Sequence, residues 1–200
     1  MATDRTLSRF SKEHLRYEIG MLFETGHRLE TVGPRLDDVT RNAYIESFTT
    51  HLRTVTSFLY DSKKWEDDVI SDHYVVDVAA WHKARGKRPK ALQRSSERVG
   101  KEIGHLTLRR YRGRAPQKQW NIGRLLGQIA RLLTRFAKHA DSKRLHRDVK
   151  KLIDSLQGPP RHVEPEPPQP RWTANVVDPD AATPRASTGA FTITSRHITP

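Results

Sequence analysis

The sequence predicts an all-α protein: an antiparallel bundle of about five helices over residues 1–157, followed by a disordered proline-rich tail over 158–200. Three observations predict it. Apolar residues recur at threes and fours through most of the first 157 positions, with no alternating strand pattern in between. The breaks near 31–36 and 113–119 are short and polar, which favours antiparallel neighbours. Nine of the twelve prolines lie from Pro159 onward, where PPRHVEPEPPQPRW has no means of forming regular structure.

The first helix is expected over about 11–30, with Leu15, Ile19, Leu22, Phe23 and Leu29 facing inward and Gly26 weakening the last turn. Gly33 and Pro34 then end it. The second is expected over 37–60. Val39, Ile45, Phe48, Leu52, Val55 and Leu59 form its stripe, widened by Ala43 and Phe58, and Asp37 or Asp38 caps it. Its many β-branched threonines lower its intrinsic propensity, so packing must hold it in a central position. Residues 61–89 keep no period and read as a long connection with one or two short helical turns, pinned by Trp65, Val69 and Trp81. Within it, KARGKRPK (83–90) reads as a basic exposed loop.

A helix over 92–112, LQRSSERVGKEIGHLTLRRYR, buries Leu92, Val99, Ile103 and Leu106, with Ser96 on the same face. RGRAPQKQ breaks the chain, and a helix over 121–140 follows, capped by Asn121 and preceded by Trp120. Its core face is Ile122, Leu125, Leu126, Ile129, Leu132, Leu133 and Phe136. Arg124, Arg131, Arg135 and Lys138 line another face. A last helix, from 141 or 142 to 157, buries Leu145, Val149, Leu152, Ile153 and Leu156, and Gly158 stops it.

Hydrophobic residues make up 35% and charged residues 30%, so each helix has one apolar stripe to contribute. The absence of cysteine excludes disulfides, thiolate nucleophiles and Cys-type zinc sites. Neither a signal-like start nor a run of ~20 apolar residues is present, so a soluble, cytoplasmic protein without membrane contact is expected. The net charge of +13 is unevenly spread. Residues 1–80 carry ten Lys/Arg against fourteen Asp/Glu, residues 81–151 twenty-two against four, and the rest four against five. Such a field draws polyanions, and nucleic acid is the commonest inside cells. Arg109, Arg110, Arg112, Arg114, Arg124, Arg131, Arg135 and Lys138 are the candidate contacts.

Beside the apolar seam of 92–112 runs a charged line: Arg98, Glu102, His105 and Arg109. Arg98 and His105, seven residues apart, fall on nearly one helix face about 10 Å apart. A histidine moves protons at neutral pH, and a guanidinium stabilises charge on a phosphate. Arg–x6–His in a helical bundle resembles the motif of the HEPN superfamily of helical nucleotide-binding domains, many of them metal-independent ribonucleases of toxin or phage-defence systems. The segments RNAYIESFTTHLRTVTSFLY and RVGKEIGHLTLRR, with QW before the next helix, also resemble a group of uncharacterised bacterial helical proteins, over about 10–140. The resemblance implies His105 as acid/base, Arg98 on the phosphate, Glu102 orienting them, RNA ahead of DNA as ligand, and a homodimer. Arg9 and His14 make a second, shorter Arg–His pair.

Glu46, His51 and Arg53 on the second helix are further candidates, either to meet His105 or to hydrogen-bond at the bundle rim. Asp72, His73, Asp77 and His82 lack any known metal-ligand spacing. No GxxxxGK[ST], HExxH or GxSxG motif occurs, so neither a metal nor a cofactor is expected. The alternative to a nucleic-acid module is a non-enzymatic helical interaction protein whose tail recruits a partner. A helix-turn-helix DNA regulator ranks last, because 113–119 is long for that turn.

Overall fold

Side-chain caps set where the helices start, and apolar stripes decide which face turns inward. The computed structural model describes residues 2–63, 65–105, 107–108 and 119–156. Its first helix, α1 (Asp4–Phe10), begins under Thr3, whose hydroxyl accepts from the Thr6 amide at 3.2 Å. Helix therefore starts earlier than the apolar period alone predicts. A π turn, Ser11–Leu15, leads directly into α2 (Arg16–Thr31). Ser11 is buried there; its hydroxyl donates to the Ser8 carbonyl and accepts from the His146 amide at 2.9 Å, tying the N-terminal helix to the last one.

A single 3-10 turn, Gly33–Arg35, separates α2 from α3 (Asp38–Tyr60), and these two helices pack against each other. Asp37 is the cap: hydrogen bonds from Thr40, through its hydroxyl and its amide, hold the Asp37 carboxyl below its ordinary range. Val39 and Ala43, expected in the stripe, are exposed, Val39 at 80%. They lie in the first turns of α3, before the helix reaches the part that packs. Phe48, Leu52, Val55 and Leu59 are buried as their spacing predicts. Gly26 does more than weaken a turn. A Cβ there would lie 2.9 Å from Leu126 Cδ1 and 3.1 Å from Phe48 Cε2, so the missing side chain lets three helices converge.

The poorly patterned stretch 61–89 contains a 3-10 turn, Ser71–Tyr74, and a helix, α4 (Val78–Arg85), capped by Asp77. Trp81 is fully buried, its Nε1 donating to Ser71 Oγ at 3.0 Å while that hydroxyl donates to the Leu59 carbonyl. It meets Phe136 edge-on at 5.6 Å, and Phe58 and Tyr74 complete an aromatic cluster. The Tyr74 hydroxyl reaches the Leu7 carbonyl at 3.2 Å. Trp65 takes no part. It is 73% exposed, which corrects the expectation that it pins this segment; Trp81 does that, with Val69 half-buried against the core.

Helix α5 (Lys90–Arg98) passes into a second π turn, Val99–Ile103, and ends there rather than at 112. The Gly104 amide closes it by donating five residues back to the Val99 carbonyl at 2.8 Å. Helix α6 (Ile122–His139) is capped by Asn121 and turns its whole apolar face inward. The last helix, α7 (Arg147–Ser155), begins later than expected. The reason is that 140–144 is used otherwise: Ala140 bridges Val75, the Asp141 amide donates to the Tyr74 carbonyl, and Arg144 pairs with Asp4 at 2.8 Å.

The core lies between α2, α3 and α6, with α5 against α3, α4 against α6, and α7 against α2 and α6. Among the described residues there is no strand, and no helix is long and apolar enough to cross a membrane. The tail expected from 158 lies outside the described residues.

Candidate nucleic-acid interface

Arg98 and Glu102 stand one helical turn apart, and their side chains meet: Arg98 Nε donates to Glu102 Oε2 at 3.1 Å. The guanidinium also lies over the Trp120 ring, 4.0 Å from its centre, and Nη1 donates to the Gln119 carbonyl at 3.2 Å. Arg98 thus pins the residues that open α6 to the end of α5. Around this pin is a shallow, open depression of about 230 Å³, lined by Asn42, Ile45, Glu46, Arg98, Glu102, Ile103 and Trp120. His105 is exposed and is not among these lining residues. An uninterrupted α-helix would set it almost in line with Arg98. A π turn, wider than an α turn, covers Val99–Ile103, and His105 lies two residues past its end. Glu46 lines the same depression as Arg98 and Glu102. His51 does not: its Nδ1 lies 2.7 Å from Glu18 Oε2, with Tyr17 edge-on to the ring.

The cations of α6 are placed as their spacing predicts. Arg124, Arg131, Arg135 and Lys138 are all exposed, at steps of seven, four and three, along about 21 Å of helix. The helix contains no Asp or Glu, so its own residues do not compensate this row. Lys150 and Lys151 on α7 are exposed as well. Arg109, Arg110, Arg112 and Arg114 lie outside the described residues.

A basic cluster at the end of α3 went unread in the sequence. Arg85, on α4, has its guanidinium 5.4 Å from the centre of the Tyr60 ring, and Arg88 lies 5.3 Å from the same ring. Arg85 donates to the Leu59 carbonyl and Arg88 pairs with Asp61. Cations here meet the negative end of the α3 dipole. Burial pushes the Tyr60 hydroxyl up, and the fields of Arg85, Arg135 and Arg88 oppose that shift. The only sequence signal was KARGKRPK, which shows charge but not convergence on one aromatic ring.

The remaining candidates have structural partners. Arg9 pairs with Glu13 at 2.9 Å, and His14 lies against Phe10. His82 Nε2 sits 2.9 Å from the Asp72 carboxylate, Asp77 caps α4, and His73 Nδ1 accepts from the Ile70 amide at 3.5 Å. Burial and the field of Lys63 hold His73 below its ordinary value, against the opposing field of Asp72. Among the described residues no group of three or more such side chains is arranged to hold a metal ion. Comparison with protein-family models, with curated proteins and with solved structures finds no match.

Proposed function

We propose that the protein is a nucleic-acid-contacting helical module, with RNA ahead of DNA, and that the exposed cationic face of α6 carries the contact. The observation that supports this most is the single row of Arg124, Arg131, Arg135 and Lys138 on a helix without acidic residues. A phosphate backbone gains from such a row by releasing its condensed counterions. Three arginines spaced along a rigid helix also lose less backbone freedom on binding than cations on a loop. The preference for RNA rests on the resemblance to HEPN domains. The test is anisotropy of labelled RNA and DNA strands at low salt with Arg131→Glu/Arg135→Glu. Reversing two charges is expected to weaken binding at least ~10-fold, because each lost phosphate contact is replaced by repulsion. Unchanged affinity would sink the reading.

The same resemblance assigns metal-independent RNA cleavage to Arg98, Glu102 and His105. His105→Ala, assayed with a chelator present, separates cleavage from binding. Loss of cleavage with binding intact supports the assignment. Cleavage that survives the substitution, or a wild-type protein that does not cleave, ends it.

A further inference from the structure

Two guanidiniums, those of Arg85 and Arg88, gather at the C-terminal end of α3 over one half-buried tyrosine, Tyr60, with the Asp61 carboxylate paired to Arg88. Like charges repel, so a fold that holds them together needs fixed counter-interactions. The structure supplies them: Arg85 is tied to the Leu59 carbonyl, Arg88 to Asp61, and both lie over the Tyr60 ring. Neither bond occupies a whole guanidinium, which carries five N–H donors in a rigid fork. The field of Arg135, from the exposed row of α6, acts on the Tyr60 hydroxyl in the same sense as those of Arg85 and Arg88.

We propose that Arg85 and Arg88 form a preorganised site for a phosphodiester group, with Tyr60 holding the forks in register, and that this site adds to the cationic face of α6. The proposal rests on the nucleic-acid reading above and names a second place where the backbone is gripped. Three arguments carry it. The cluster keeps positive charge in excess after Asp61 is counted. Arg85 and Arg88 are half-buried, where a charge-assisted bond to phosphate is stronger than at a fully wetted surface. Their freedom has already been lost in folding, so an anion does not have to order them.

Tyr60 is a positioning residue here. Arg88→Lys keeps the charge but removes the fork, and is expected to weaken RNA binding several-fold while leaving the fold intact.

The deciding measurement uses the full chain and the arginine Nε–H resonances, assigned by single Arg→Lys variants. The protein is titrated with a short oligouridylate, and separately with inorganic phosphate at the same phosphate concentration. The expected result is a saturable shift of Arg85 and Arg88 together with Arg124 and Arg131, along the curve that anisotropy gives, and no comparable shift with inorganic phosphate. If Arg124 and Arg131 shift while Arg85 and Arg88 stay still, the site at Tyr60 is wrong and the α6 reading stands. If none of the four moves, both are wrong. Equal shifts with inorganic phosphate would overturn the phosphodiester assignment.

Discussion

Thr56 and Gln128 each keep a buried side-chain oxygen without a hydrogen-bond partner among the described residues, and Thr56 shows what that costs. It is buried at 1% exposure in α3, and its hydroxyl has no hydrogen-bond partner among the described residues. A buried hydroxyl left unpaired loses its hydration without compensation. Thr56→Val keeps the shape and removes the polar atom, so it is expected to raise stability by about 1 kcal/mol in urea denaturation. Gly26→Ala works the other way: the added methyl meets Leu126 and Phe48, and a loss of about 1–3 kcal/mol is expected from overpacking. His73 gives a pH dependence. Its folded value lies below the ordinary 6.5, so the unfolded chain binds more protons near that pH. Its contribution is complete above 6.5 and declines as the pH falls through 6.5 toward the depressed value. His73→Gln is expected to flatten the fall of Tm over that window, and an unchanged acid slope would show that other groups set it.

At the scale of elements, the π turn after α5 decides how the charged line is used. It ends the helix early, leaving Arg98 to clasp Trp120 and His105 beyond the last helical residue. Arg98→Ala is expected to cost about 1–2 kcal/mol and to shift tryptophan emission to longer wavelength as Trp120 is wetted. Arg9→Ala, which breaks an exposed pair, should stay within about 0.5 kcal/mol. Equal effects would mean that the Arg98 clasp contributes nothing special.

The helices with a sustained period were legible in the sequence. The faces of α2 and α6 were readable residue by residue, as was the cap at Asn121, while the cap of α3 was legible only as Asp37 or Asp38. Segment 61–89 was legible in part: its short helical turns and the anchors Val69 and Trp81 were expected, but not the burial of Tyr74, which distant aromatic partners bring about rather than a local repeat. The π turns were invisible, since periodicity cannot register one wider turn. For the candidate interface, spacing was enough to align the α6 cations. It was silent on Arg85 and Arg88, whose meeting with Tyr60 depends on how α4 packs.

For the whole molecule, the central feature is the separation of charge along the chain, with an excess of acid before residue 81 and of base up to 151. Folding presents part of that base as an exposed row on α6, and another part as a braced cluster at the end of α3. Charge of this kind sets encounter and affinity through counterion release, not through the shape of a pocket. The most direct test is the affinity of the full chain for single-stranded RNA measured across salt concentration. Four phosphate contacts on α6 predict a slope of log K against log salt of about −3, at ~0.7 per contact, and a steeper one if the Tyr60 cluster joins. A slope near zero, or no binding at low salt, would contradict the account.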